Sequence, residues 1–127
     1  MQIRFWGVRG STPTPQLENM RYGGNTSCVE VRIQDRLFVF DCGTGFRALG
    51  QHLTKHFPEQ PLFAHVFVSH YHWDHIQGIP FFRPLYDSAN NVFVFHSSRR
   101  NRSLKQVMEE QMAAPYCGHH AVYESQS

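Results

Sequence analysis

Residues 69–75 read Ser-His-Tyr-His-Trp-Asp-His, so His70, His72, Asp74 and His75 lie within six positions. Imidazoles and carboxylates at such spacing serve as metal ligands or as acid–base groups. A chance H-x-H-x-D-H match at this composition is on the order of one in a thousand over the whole chain, so coincidence is a poor explanation. In extended backbone, positions i and i+2 share a face, and His70 and His72 then point the same way; a helix would set them about 200° apart. Two adjacent imidazoles suit Zn²⁺ and similar borderline ions. Asp74 and His75 follow where the chain turns toward a helix, and they could hold a second ion beside the first. Two metals roughly 3.5–4 Å apart are the usual arrangement for phosphoester hydrolysis. Two plainer readings compete: a surface histidine cluster, and a structural zinc site, which is commonly closed by cysteines that this motif lacks.

The elements that must position these groups follow from periodicity and punctuation. Residues 2–8 read as a strand, residues 9–24 as a loop with two prolines and three glycines, and residues 26–33 as an alternating strand. Gln34-Asp35-Arg36 turns the chain into a returning strand, 37–40. Residues 41–45 (Asp-Cys-Gly-Thr-Gly) form a tight turn, and a helix runs from Thr44 or Gly45 to about His56 with Phe46, Leu49 and Leu53 on one face. Residues 65–69 form a short buried strand leading directly into the histidine motif. A strand over 91–95 and a helix over 103–112 complete the chain. The order predicts a mixed α/β fold with the polar motif at the carboxyl end of a strand, where ligands gather in open α/β sheets. Asp41 also reads as a helix N-cap, and Asn25 after Gly23-Gly24 as a turn residue.

The length of 127 residues predicts one domain, 1–127. The formal net charge is +2, which is too small to point to nucleic acid or membrane, and no interleaved basic–aromatic platform is apparent. No apolar run approaches the ~20 residues of a membrane span, and no signal peptide is apparent at Met1–Arg4. Three cysteines (28, 42 and 117) lack a disulfide-framework spacing and read as reduced thiols of a cytoplasmic protein. Nine histidines and eleven phenylalanines are the other marked counts; the first suggests metal or acid–base chemistry and the second requires a core.

The chain resembles the metallo-β-lactamase superfamily, whose signature is H-x-H-x-D-H after a short strand. Residues 5–11 (Phe-Trp-Gly-Val-Arg-Gly-Ser), 22–28 (Tyr-Gly-Gly-Asn-Thr-Ser-Cys) and 40–45 (Phe-Asp-Cys-Gly-Thr-Gly) are similar to the branch that holds ribonuclease Z and cyclic phosphodiesterases. Residues 72–82 and 112–116 (Met-Ala-Ala-Pro-Tyr) fit a subgroup of it. The resemblance implies a four-layer αββα sandwich of two similar halves, of which this chain covers only the N-terminal half. It implies two divalent ions, Zn²⁺ or Mn²⁺, with His70 and His72 as ligands of one, Asp74 and His75 of the other, and Asp74 also orienting the nucleophilic water. It makes Asp41 a carboxylate that steadies the ligand loop, Gly43 and Gly45 the residues that let that turn pass close to the site, and Asn25 a loop anchor near the metals.

The implied activity is metal-dependent hydrolysis, foremost of a small-molecule or nucleotide phosphodiester by a metal-bound hydroxide. A thioester or lactam hydrolase is the alternative within enzymes. The resemblance implies that a third histidine of one site, a bridging aspartate and a further histidine of the other come from the second half, and none of those motifs is visible in this sequence. His119 and His120 fall in what would be a connecting segment, His96 follows a strand, and His52, His56 and His65 read as surface or edge residues. Arg99, Arg100, Arg102 and Lys105 read as a solvated helix start or a phosphate contact. A half-sandwich leaves one sheet face uncovered, against the layer rule. The second expectation is therefore an inactive half-domain that binds metal weakly, completed by a missing C-terminal half or by self-association.

Overall fold

The computed structural model describes residues 1–87, 90–98 and 101–117. Five strands form one mixed sheet in sequence order: β1 (Gln2–Gly7), β2 (Cys28–Ile33), β3 (Arg36–Phe40), β4 (Phe63–Val68) and β5 (Val92–Ser97). β1, β2 and β3 pair antiparallel, and β3, β4 and β5 pair parallel. The β2–β3 hairpin closes at Ile33↔Arg36 through a two-residue turn with Gln34 in the left-handed region. The parallel half needs crossovers, and α1 (Thr44–His56) supplies the one between β3 and β4. The short α2 (Trp73–Ile76) follows β4, and α3 (Leu104–Gln111) follows β5. Ser103 caps α3 reciprocally with Gln106, as a capping box does.

β4 begins two residues before the expected start at His65, because Phe63 and Ala64 pair with Val92 and Phe93, and it ends at Val68 instead of Ser69. For the same reason β5 continues to Ser97, opposite Val68. Strand ends here are decided by the neighbouring strand.

One face of the sheet carries the core. Cys28, Leu37, Val39, Ala64, Val66 and Val68 alternate inward and meet Phe46, Leu49 and Leu53 of α1, Ile76, Ile79 and Phe82 of the following segment, and Leu104 and Met108 of α3. Phe46 and Phe82 stack with ring centroids 3.8 Å apart. The three cysteines are free, and burial pushes the Cys28 and Cys42 thiols well above their ordinary range, so both act as small apolar residues.

The opposite face has no helix on it among the described residues. Register places Ile3, Phe5, Val29, Val31, Phe38, Phe40, Phe63, His65, Phe67, Val92, Val94 and His96 on it. Phe5 is 66% exposed and Phe63 55%. Strands whose two faces are both apolar belong to sheets covered on both sides. The described fold is thus one sheet layer under one helix layer, with the second sheet face bare among the described residues. No helix among the described residues is long and apolar enough to cross a membrane.

Candidate metal centre

The parallel strands end side by side, so the residues after β3 and after β4 meet. Asp41 follows β3 with φ +63°, a left-handed conformation that aspartate tolerates better than most residues. Its backbone N–H reaches Phe67 O at 2.8 Å, and its carboxylate turns toward the loop that follows β4. Gly43 is the α1 N-cap and gives no side-chain cap; Thr26 Oγ1 instead accepts the Thr44 N–H at 2.8 Å. The reading of Asp41 as a helix cap is therefore corrected: its side chain is committed to Ser69 and His75, because its left-handed backbone aims it away from α1.

The 41–45 turn and α2 lie backbone against backbone. Cys42 N–H donates to His75 O at 2.8 Å, and Gly78 N–H donates to Cys42 O at 2.8 Å. A Cβ at Gly78 would fall onto the Gly43 carbonyl oxygen, and one at Gly43 onto the Asp74 carbonyl oxygen. Only glycine admits this approach.

The approach sets the polar geometry. Asp41 Oδ1 accepts from Ser69 N–H at 2.8 Å and from Ser69 Oγ at 2.8 Å. Ser69 Oγ also lies 2.9 Å from His70 Nδ1. A hydroxyl has one proton, and here it goes to the carboxylate, so Oγ accepts from Nδ1–H and His70 keeps its Nε2 lone pair free. Asp41 Oδ2 lies 2.9 Å from His75 Nδ1, while His75 Nε2 lies 3.2 Å from Asp74 Oδ2. Asp74 Oδ2 accepts from Ser11 N–H at 2.9 Å. The His70 ring is 4.5 Å from that of His72 and 4.0 Å from that of His75, centroid to centroid. All four motif residues thus come together, with Asp41 behind them.

The Ser11 N–H, aided by His75, holds the Asp74 carboxyl below its ordinary range against the opposing effect of burial. Burial lowers the His70 pKa, and His75 and His72 beside it lower it further. Both shifts favour the deprotonated forms that bind metal.

The donors suit a divalent ion. His75 Nδ1 is buried without a well-directed hydrogen bond, its approach to Asp41 being close but off-axis. A ligating histidine commonly turns its other ring nitrogen to a carboxylate, which is the relation of His75 to Asp41. The shell is short in number: no three His, Cys, Asp or Glu side chains among the described residues converge as one ligand set. His96 lies on the bare sheet face, 3.0 Å from His65 Nδ1 through its Nε2. His52 and His56 stack on α1. Asn25 holds its loop through its backbone carbonyl, which accepts from Val8 N–H at 3.0 Å and Arg9 N–H at 2.9 Å. Arg102 and Lys105 pair with Glu110 and Glu109. His119, His120, Arg99 and Arg100 lie outside the described residues. Ser11 and Ser69 were not legible as site residues; their only sequence signal is membership of the motifs at 5–11 and 69–75.

A mixed sheet with one helix layer, carrying this candidate ligand loop at its strand ends, is an α/β architecture of the metallo-β-lactamase type. The Beta-lactamase superfamily domain matches residues 36–122, and the chain belongs to that superfamily. It is similar to Ribonuclease Z of Methanosarcina mazei, 35% identical over 80 residues, or 63% of this chain and 23% of that protein. It is also similar to Ribonuclease Z of Haloarcula marismortui, 28% identical over 118 residues, or 91% of this chain and 34% of that protein. The chain therefore spans about a third or less of the length of these two relatives. A crystal structure of human tRNase Z, short form, aligns with TM-score 0.47 and 20% identity over 84% of this chain and 49% of that one.

Proposed function

We propose that this chain is the metal-binding half of a hydrolase that cleaves phosphodiester bonds in a nucleotide or nucleic acid. The observation that carries the reading is the side-by-side placement of His70, His72, Asp74 and His75, with Asp41 reaching His75 directly and His70 through Ser69. The similarity to two proteins named Ribonuclease Z supports the substrate class.

His70 and His72 would hold one divalent ion, Zn²⁺ or Mn²⁺, and Asp74 with His75 the other. Such ions, when bound, supply Lewis-acid activation of water and neutralise charge developing on the phosphoryl group. The chain's own residues prepare the site. Ser69 fixes the His70 ring with Nε2 free. Asp41 orients His75. The Ser11 N–H keeps Asp74 ionised, ready to accept a hydrogen bond from the attacking water.

The test is turnover of bis(p-nitrophenyl) phosphate with added Zn²⁺ or Mn²⁺, beside a thioester and a β-lactam. Diester turnover that Asp74→Ala abolishes, with an unchanged circular dichroism spectrum, supports the reading. Preferential turnover of the thioester or lactam overturns it.

A second reading has its own observation. The bare apolar face and the short ligand set favour a half-domain that is silent until a second sheet covers it. Absence of turnover with all three substrates, together with mass that rises with concentration in sedimentation, favours that reading.

A further inference from the structure

A cleft of about 250 Å³ adjoins the candidate ligand loop. Trp73 and Gln77, one helical turn apart, line it, while Asp74 and His75 between them face Ser11 and Asp41. Trp73 stands between His72 and Asp74 in sequence, so the cleft wall and the candidate ligands share one short segment. Phe81, Tyr116, Arg47 and Gln111 complete the part that matters here.

The lining is unusual for a surface. Trp73 is 66% exposed, Phe81 54% and Tyr116 83%, so three aromatic side chains offer their rings to one cleft. Arg47 is exposed, and among the described residues its guanidinium makes no ion pair. Gln111 Nε2 donates to Ile76 O at 3.1 Å, which leaves Oε1 buried and without a donor among the described residues. A buried acceptor with no partner favours any ligand that brings it an N–H.

A planar group that stacks on aromatic rings, carries an N–H donor on its edge and bears negative charge has the chemistry of a nucleotide. We propose that this cleft binds a nucleobase with an exocyclic amine, belonging to the substrate of the adjoining centre. Its base stacks on Trp73, its phosphate is drawn to Arg47, and a turn of the Gln111 side chain away from Ile76 O brings the otherwise buried Oε1 to its amine. The proposal rests on the phosphodiesterase reading for its biological meaning, but binding is testable without hydrolysis.

The probe is adenosine 5′-monophosphate, titrated by calorimetry into the 127-residue chain in the presence of a chelator. N6,N6-dimethyl-AMP, which lacks the amine donors, and ribose 5-phosphate, which lacks the base, serve as controls. Saturable binding of AMP is expected, weakened about tenfold or more in Trp73→Ala. The dimethyl analogue should bind about tenfold more weakly than AMP to the native chain and equally to AMP in Gln111→Leu. In Trp6→Phe, where Trp73 is the remaining tryptophan, AMP should quench the fluorescence with the same isotherm. Ribose 5-phosphate binding as tightly as AMP, or AMP binding unaffected by Trp73→Ala, overturns the proposal. So does failure of AMP to bind a chain that still turns over bis(p-nitrophenyl) phosphate, an outcome that leaves the hydrolase reading intact. Saturable, Trp73-dependent binding by a chain that hydrolyses no diester upholds the cleft and counts against the hydrolase reading alone.

Discussion

Asp41 Oδ2 stands 2.9 Å from His75 Nδ1, and the same carboxylate accepts the Ser69 hydroxyl that meets His70. One carboxylate after β3 thus aligns two imidazoles of the loop after β4. A carboxylate behind a ligating histidine fixes its ring and raises its basicity. Asp41→Asn keeps an acceptor for Ser69 N–H and tolerates the left-handed backbone, but it removes the charge. We expect a folded variant whose Zn²⁺ affinity, measured by competition with a chromophoric chelator, falls roughly 10–100-fold. Unchanged affinity would detach Asp41 from the candidate metal centre.

Gly78 lets α2 lie on the 41–45 turn. In Gly78→Ala the new methyl meets the Gly43 carbonyl oxygen, and two backbones bonded through Cys42 must separate. The expected cost is about 2–4 kcal/mol, which lowers the thermal midpoint by roughly 10 °C or more in a domain of this size. Calorimetry measures this directly, and a midpoint within 2–3 °C of the native chain, the rough size of a neutral change, contradicts the packing described.

His52 on α1 sits beside His56 of the same helix and Arg4 and Trp6 of β1. Burial first, then the His56 and Arg4 charges, lower its pKa below the ordinary 6.5. Its folded form therefore binds a proton less readily than its unfolded form. The associated stability is complete above pH 6.5 and is lost as pH falls through the window just below it. The thermal midpoint should drop between pH 7.5 and pH 5.5, and His52→Gln should drop less over that interval. An equal drop in both would place the titration elsewhere.

The bare sheet face is testable as a surface. Contiguous exposed apolar area of this kind binds hydrophobic dyes and drives association. The chain should enhance anilinonaphthalene sulfonate fluorescence and show concentration-dependent mass. Phe5→Glu with Phe40→Glu, both on that face, should reduce the two effects together while leaving the core signal in circular dichroism. A monomer at all concentrations that binds no dye would mean the face is covered.

Much of this protein is legible without coordinates. The alternation of residues 26–33 and 37–40 marks two strands, the first of which starts at Cys28 in the structure, the Phe46–Leu49–Leu53 spacing marks α1, and H-x-H-x-D-H marks a candidate ligand loop, because each is a short-range pattern written within a few residues. The family resemblance, set against 127 residues, also led to the expectation of a half-fold with an uncovered sheet face. Tertiary structure alone decided what the side chains do across strands. Of the two readings the sequence left for Asp41, it removed the helix cap and supplied Ser69 and His75 as the side chain's partners. It carried the Ser11 N–H to Asp74. It gathered Trp73, Phe81, Tyr116 and Arg47, scattered over four segments, into one cleft, although no aromatic–basic platform can be read along the chain. Parallel pairing of β3 with β4 and the glycine contact between the 41–45 turn and α2 create these meetings. Both depend on which strands lie adjacent and how closely backbones pack, and neither leaves a period in the sequence.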